Sequence, residues 1–211
     1  MKCKIWPCVI GCAILATLPA AWALGAPPTV RVPITAAFQV KSTTFVDGGT
    51  LPLSMLGNRC PSPVANPVGG GNESPELSWT NVPRGTQSFV VIAYDVTASF
   101  TYWGMYNIHN PSSTVGLPEN AGVVNSPFGE QVANDLKDRR YDGPCPQPQP
   151  GPLHELVFTV YALNIDLILP PTSFPGFTQN AEWLYHFLID AGRGGHILAT
   201  ASIGGYFAGG S

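Results

Sequence analysis

Two apolar runs stand out along this chain, and neither alternates with polar residues. Phe89-Val90-Val91-Ile92-Ala93-Tyr94 and Leu156-Val157-Phe158-Thr159-Val160-Tyr161-Ala162-Leu163 are short and rich in β-branched and aromatic residues. Successive side chains of a strand point to opposite faces of its sheet, so each run predicts a strand covered on both sides. Residues 38–45, 77–79, 102–108 and 196–203 read as further strands, and Asp47-Gly48-Gly49 as a turn. Residues 60–71, with three prolines and three glycines, read as a surface loop, and 118–152 as mostly irregular. Helical spacing shows in one place. Trp183, Leu184, Phe187 and Leu188 fall on one face, with Asn180 as cap, Glu182 in the first turn and Gly192 at the end. Strands followed by one late helix predict a mainly β fold: two packed antiparallel sheets with a minor helical element.

Composition agrees with that picture. The 211 residues are 45% hydrophobic and 11% charged, which excludes a disordered or nucleic-acid-wrapping chain. The 23 glycines and 22 prolines suit many short elements joined by turns. No internal repeat is visible, and one domain is expected at this length.

The first 23 residues have a different character. Lys2 and Lys4 precede an apolar stretch from Ile5 to Leu18, and Ala21-Trp22-Ala23 follows as a small-x-small site. That order predicts a cleaved secretory signal peptide over 1–23, with an uncleaved membrane anchor as the alternative. A Pro-rich arm over 24–36 and a single domain over 37–211 follow, in a secreted or periplasmic protein. Cleavage lowers the basic count from 10 to 8 against 13 acids, a net charge of −5. A nucleic-acid or anionic-membrane surface is disfavoured.

Cleavage also removes Cys3, Cys8 and Cys12, leaving Cys60 and Cys145. Two cysteines in an exported chain are expected to pair, the alternative being two buried thiols. Zinc is disfavoured because neither belongs to a C-x-x-C pair.

Candidate chemistry gathers in Tyr141-Asp142-Gly143-Pro144-Cys145-Pro146, a stiff loop followed by His154 at the mouth of an apolar strand. The chain resembles the phosphatidylethanolamine-binding protein family, which includes Raf kinase inhibitor protein, and in particular its small YbhB/YbcL-type bacterial branch. The matching residues are Ser74-Pro75-x-Leu77-x-Trp79, Val82-Pro83-x-Gly85-Thr86, the run from Phe89 to Asp95, Trp103 with Asn107, Tyr141-x-Gly143-Pro144-x-Pro146, His154-x-x-x-Phe158-x-x-x-Ala162-Leu163, and His196-Ile197-Leu198-Ala199 with Tyr206. The likeness covers residues 38–207. It implies a central antiparallel sheet, a second smaller sheet, one C-terminal helix, a few short helical turns, and a small anion-accepting pocket at one end.

Departures from the family pattern are specific. The first acid of the family's Asp-Pro-Asp-x-Pro segment is kept as Asp95, while the second is Thr97. Tyr102 replaces the histidine before Trp103, and Glu155 replaces the arginine after His154. The expected ligand-binding set is Asp95, Thr97, Tyr102, Trp103, Tyr141, Gly143, Pro144 and His154. His154 is its main side-chain donor, with hydroxyls from Tyr102 and Thr97. Asp95 either orients His154 or caps only the turn after its own strand.

No Gly-x-Ser-x-Gly, Cys-His or His-Glu-x-x-His arrangement occurs, so an enzyme is not expected, nor a cofactor or metal. The expectation is an exported binding protein for a small polar or anionic, phosphoester-like head group. The alternative is a module that inhibits an extracytoplasmic protease or similar partner, and the family likeness adds a homodimer as an option.

Overall fold

The computed structural model describes residues 36–58, 60, 69–109, 115–145, 152–170 and 179–208. The proposed leader, and the arm up to residue 35, lie outside the described residues. In chain order the described elements are β1 (Gln39–Lys41), β2 (Gly49–Thr50), a single 3-10 turn (Leu53–Met55), β3 (Leu77–Thr80), β4 (Ser88–Asp95), β5 (Phe100–Ile108), β6 (Gly116–Leu117), β7 (Glu130–Gln131), β8 (Leu153–Leu163), α1 (Ala181–Arg193) and β9 (Ile197–Ala208). They form a six-stranded sheet, ordered β2-β9-β8-β4-β5-β7, and a three-stranded sheet, ordered β1-β3-β6. The mainly β, two-sheet fold with one helix is therefore the one the chain adopts. Pairing is antiparallel except between β2 and β9.

The run that forms β4 is buried on both sides, for the reason its pattern predicts. Phe89, Val91 and Ala93 pack into the core between the two sheets, with Trp79, Phe158 and Leu156. Val90 and Ile92 point the other way, into a second cluster under α1 with Leu184 and Leu188. Burial of each such side chain contributes about 1.5–3 kcal/mol. β8 differs on its outer face. Leu156, Phe158, Val160 and Ala162 are buried, but Val157, Thr159 and Tyr161 are only half-covered.

Several boundaries move. β1 stops at Lys41, and Gly49 opens β2 instead of completing a turn. β9 continues five residues beyond Ile203, through Gly204-Gly205, to Ala208. A side chain at Gly205 would strike Leu51, so the pair is a close approach rather than a strand break. Asn180 caps α1 by accepting from the Trp183 N–H, as expected. Gly192 does not end the helix. The left-handed residue is Gly195 (φ +73°), with His196 N–H bonded back to Ala191 O at 2.8 Å. The buried stripe of α1 is Ala181, Leu184, Leu188 and Ala191, while Trp183 is exposed and packs on His186. A helix docked along one narrow stripe turns the neighbour of Leu184 outward.

Candidate functional site

Antiparallel register brings the two candidate charged groups together. Asp95, the last residue of β4, lies opposite Leu156 of β8. His154 is two residues before Leu156, so it shares the inner face and sits two residues beyond the end of β4. Its Nδ1 is 2.8 Å from Asp95 Oδ2. The other carboxylate oxygen, Oδ1, accepts the N–H groups of Thr97 (2.8 Å) and Ala98 (2.9 Å). Asp95 thus both caps its turn and orients His154, one oxygen for each task. Its side chain is fully buried, whereas that of His154 is 12% exposed. The carboxylate is the enclosed member of the pair and the imidazole the accessible one.

A β-bulge supplies a third group. Ala93 pairs with Trp103 and Tyr94 with Thr101, which leaves Tyr102 as the extra residue of β5. The bulge turns consecutive residues to one side, so Tyr102 and Trp103 both pack against the inter-sheet core. Burial, and then the nearby charge of Asp95, push the Tyr102 phenol well above its ordinary range. Its hydroxyl remains a proton donor. Phe207 of β9, opposite His154, completes the surround with its ring 5.3 Å from the imidazole.

The proline loop is held through backbone contacts, one of them to Tyr102. Asp142 N–H donates to Tyr102 O (3.2 Å), Gly143 N–H to Asn72 Oδ1 (2.7 Å), and Gly57 N–H to Pro144 O (2.9 Å). The Asp142 carboxylate takes Arg140 at 2.7 Å and Asn134 at 2.9 Å. A side chain on Gly143 would run into the Met55 carbonyl, so glycine is required by the close approach of two backbones. Cys60 and Cys145 form a disulfide between the same two segments.

Among the candidate residues, Asp95 and His154 touch at one end of the large sheet, and Tyr102 lies near enough for the charge on Asp95 to act on its phenol. Thr97 is exposed on the turn behind them, and its hydroxyl oxygen accepts Glu155 N–H at 3.1 Å. Trp103 is fully buried, its indole N–H given to Gln131 at 2.7 Å. Tyr141 is buried too, its hydroxyl donated to Met55 O at 2.8 Å. Gly143 and Pro144 are buried in the loop, with their backbone polar groups engaged as above. The sequence reading missed Phe207, because it ended the last strand before the glycine pair. It did not foresee that Asn72 and Asn134 brace the loop, because their partners Asp142 and Gly143 are chosen by packing and not by a local pattern.

Two of the other histidines have side-chain partners at hydrogen-bond distance. His196 meets Asn164 at 2.9 Å. His109 pairs with Asp166 at 2.9 Å in a cleft of about 1140 Å³ at the opposite end of β4. Both partners are more than half exposed, so water screens that pair. Among the described residues, no group of three or more His, Cys, Asp or Glu is placed to hold a metal, and no helix is long and apolar enough to cross a membrane.

Comparison with known proteins agrees with the fold. The family model for "Phosphatidylethanolamine-binding protein" matches residues 41–208. The UPF0098 protein YbhB of Escherichia coli K12 is 39% identical over 143 residues, which span 65% of this chain and 83% of YbhB. YbcL of the same organism is 33% identical over 178 residues, 80% of this chain and 86% of YbcL. The crystal structure of YbcL, described as a member of the mammalian PEBP family, superposes with a TM-score of 0.64 at 28% identity, covering 82% of this chain and 98% of that one. The homologue CT736 of Chlamydia trachomatis gives 0.58 at 28% identity, covering 81% and 97%.

Proposed function

Because this chain belongs to the phosphatidylethanolamine-binding protein family, we propose that it is an exported, non-catalytic protein that holds a small polar or anionic head group against His154. The observation that carries this reading is the 2.8 Å contact between His154 and Asp95, residues 59 positions apart, with the acid enclosed and the imidazole reachable. A buried carboxylate behind a ring fixes its orientation and leaves the far nitrogen to meet a phosphoester oxygen. Tyr102 adds a hydroxyl that stays protonated. Glu155, which stands where the family has arginine, does not oppose this. It alternates to the other face of β8, where its carboxylate lies beside Gly204. Titration with phosphoethanolamine, followed through the His154 imidazole by NMR, tests the proposal. A ring signal that ignores phosphoethanolamine and inorganic phosphate alike refutes it.

A protein-facing role has one observation in its favour. Trp103 and Tyr141 have already committed their polar groups inside the fold, which leaves few donors for a small anion. Capture of an extracytoplasmic protease that survives His154→Ala would place the interface away from this recess.

A further inference from the structure

Resting on the binding role proposed above, we infer that His154 takes up its anion together with a proton, so that the recess holds an anionic ligand while the imidazole is charged and releases it when that charge is lost. Asp95 dictates this. Its Oδ1 is occupied by two backbone N–H groups, and its Oδ2 faces His154 Nδ1 at 2.8 Å. A carboxylate only accepts, so Nδ1 carries hydrogen in both states of the ring. The proton that comes and goes therefore sits on Nε2. When the ring is neutral, Nε2 presents a lone pair and the charge of Asp95 is unbalanced, and both repel an anion. When the ring is protonated, the pair is neutral overall and Nε2 presents a donor. Anion and proton then favour one another by linkage.

The surrounding groups leave His154 in control of the charge. From β5, Tyr102 contributes an uncharged hydroxyl, its ionisation pushed up by burial and by Asp95. From β9, Phe207 contributes an uncharged ring. The turn after β4 contributes the Thr97 hydroxyl, engaged with Glu155 N–H. On β8 itself, Glu155 faces the other side of the sheet, and Asp142 of the proline loop is matched by Arg140 at 2.7 Å.

Sulfate is the appropriate probe, because its own charge is constant around neutrality and any pH dependence belongs to the protein. Calorimetric titration with sulfate from roughly pH 5 to pH 9 brackets an imidazole. The affinity is expected to be level below the His154 midpoint and to fall about tenfold per pH unit above it, with one proton taken up per sulfate. The NMR midpoint of His154 is expected to rise when sulfate saturates the site. His154→Gln, which keeps a neutral donor, is expected to abolish the pH dependence. Sulfate binding at His154 with constant affinity throughout overturns the proton linkage and leaves the binding role standing. A pH dependence that survives His154→Gln also overturns it. Absence of binding by sulfate and phosphoethanolamine at every pH overturns both.

Discussion

Replacing both Cys60 and Cys145 by serine removes a covalent tie across 85 positions of sequence. In the chain-entropy description, a closed loop of that length costs the unfolded chain about 15 cal/mol/K, or about 4.6 kcal/mol at 25 °C. The folded loop has other fastenings that serine leaves in place. Gly57 N–H still reaches Pro144 O, Gly143 N–H still reaches Asn72, and Tyr141 still donates to Met55 O. The loss is therefore expected in the unfolded ensemble and not in the native site. Urea unfolding of the oxidised protein and the double variant measures it directly. The variant is expected to lose about 4 kcal/mol and to melt roughly 8–16 °C lower, with a steeper denaturant dependence from a more expanded unfolded chain. The His154 imidazole signal is expected to stay where it was. A loss below about 1 kcal/mol refutes the entropic reasoning. A displaced His154 signal would show instead that the bond shapes the native recess.

Other positions give independent checks. Gly143→Ala places a methyl against the Met55 carbonyl and 2.7 Å from Gly57 N, and thermal unfolding is expected to show a loss of about 2–3 kcal/mol; an unchanged melt would mean the two backbones separate freely. Asn72→Ala strands the Gly143 N–H and removes a donor from Asp142, at a cost of about 1–3 kcal/mol by urea titration, and a neutral result would remove Asn72 as a brace. At alkaline pH, burial holds the phenols of Tyr102, Tyr106, Tyr141, Tyr161 and Tyr185 above their ordinary range. In the unfolded chain they ionise near pH 10, so their contribution is intact below about pH 10 and is lost as pH rises beyond it. Wholly buried Tyr141 alone is expected to cost on the order of 1.4 kcal/mol per pH unit there. Phenolate absorbance near pH 10 worth more than two of the seven tyrosines, without unfolding, would contradict that account.

The fold was legible wherever one residue's neighbours in sequence were enough. Phe89 to Tyr94 cannot place consecutive apolar side chains anywhere but on two covered faces, and β4 lies between the two cores for that reason. Asn180 caps α1 because its oxygen needs only the N–H three residues on. Gly204-Gly205 misled because glycine in a strand means either a break or a close approach. Leu51, more than 150 residues away in the chain, decides between them.

The sequence by itself determined that the chain is β-rich, with one late helix, Cys60 and Cys145 as the two cysteines beyond the first 23 residues, and Asp95 and His154 as the charged candidates. Tertiary structure alone decided which candidates meet. Register sets His154 two residues beyond the pair that Asp95 makes with Leu156, and the bulge turns Tyr102 to the same inner face, within reach of the charge on Asp95. The core keeps Trp103 and Tyr141 for itself by occupying their polar atoms. The physical reason is range. Strand pattern and capping are local preferences carried by a few adjacent residues, whereas register, bulges and the choice of hydrogen-bond partner depend on distant segments that only packing brings within reach.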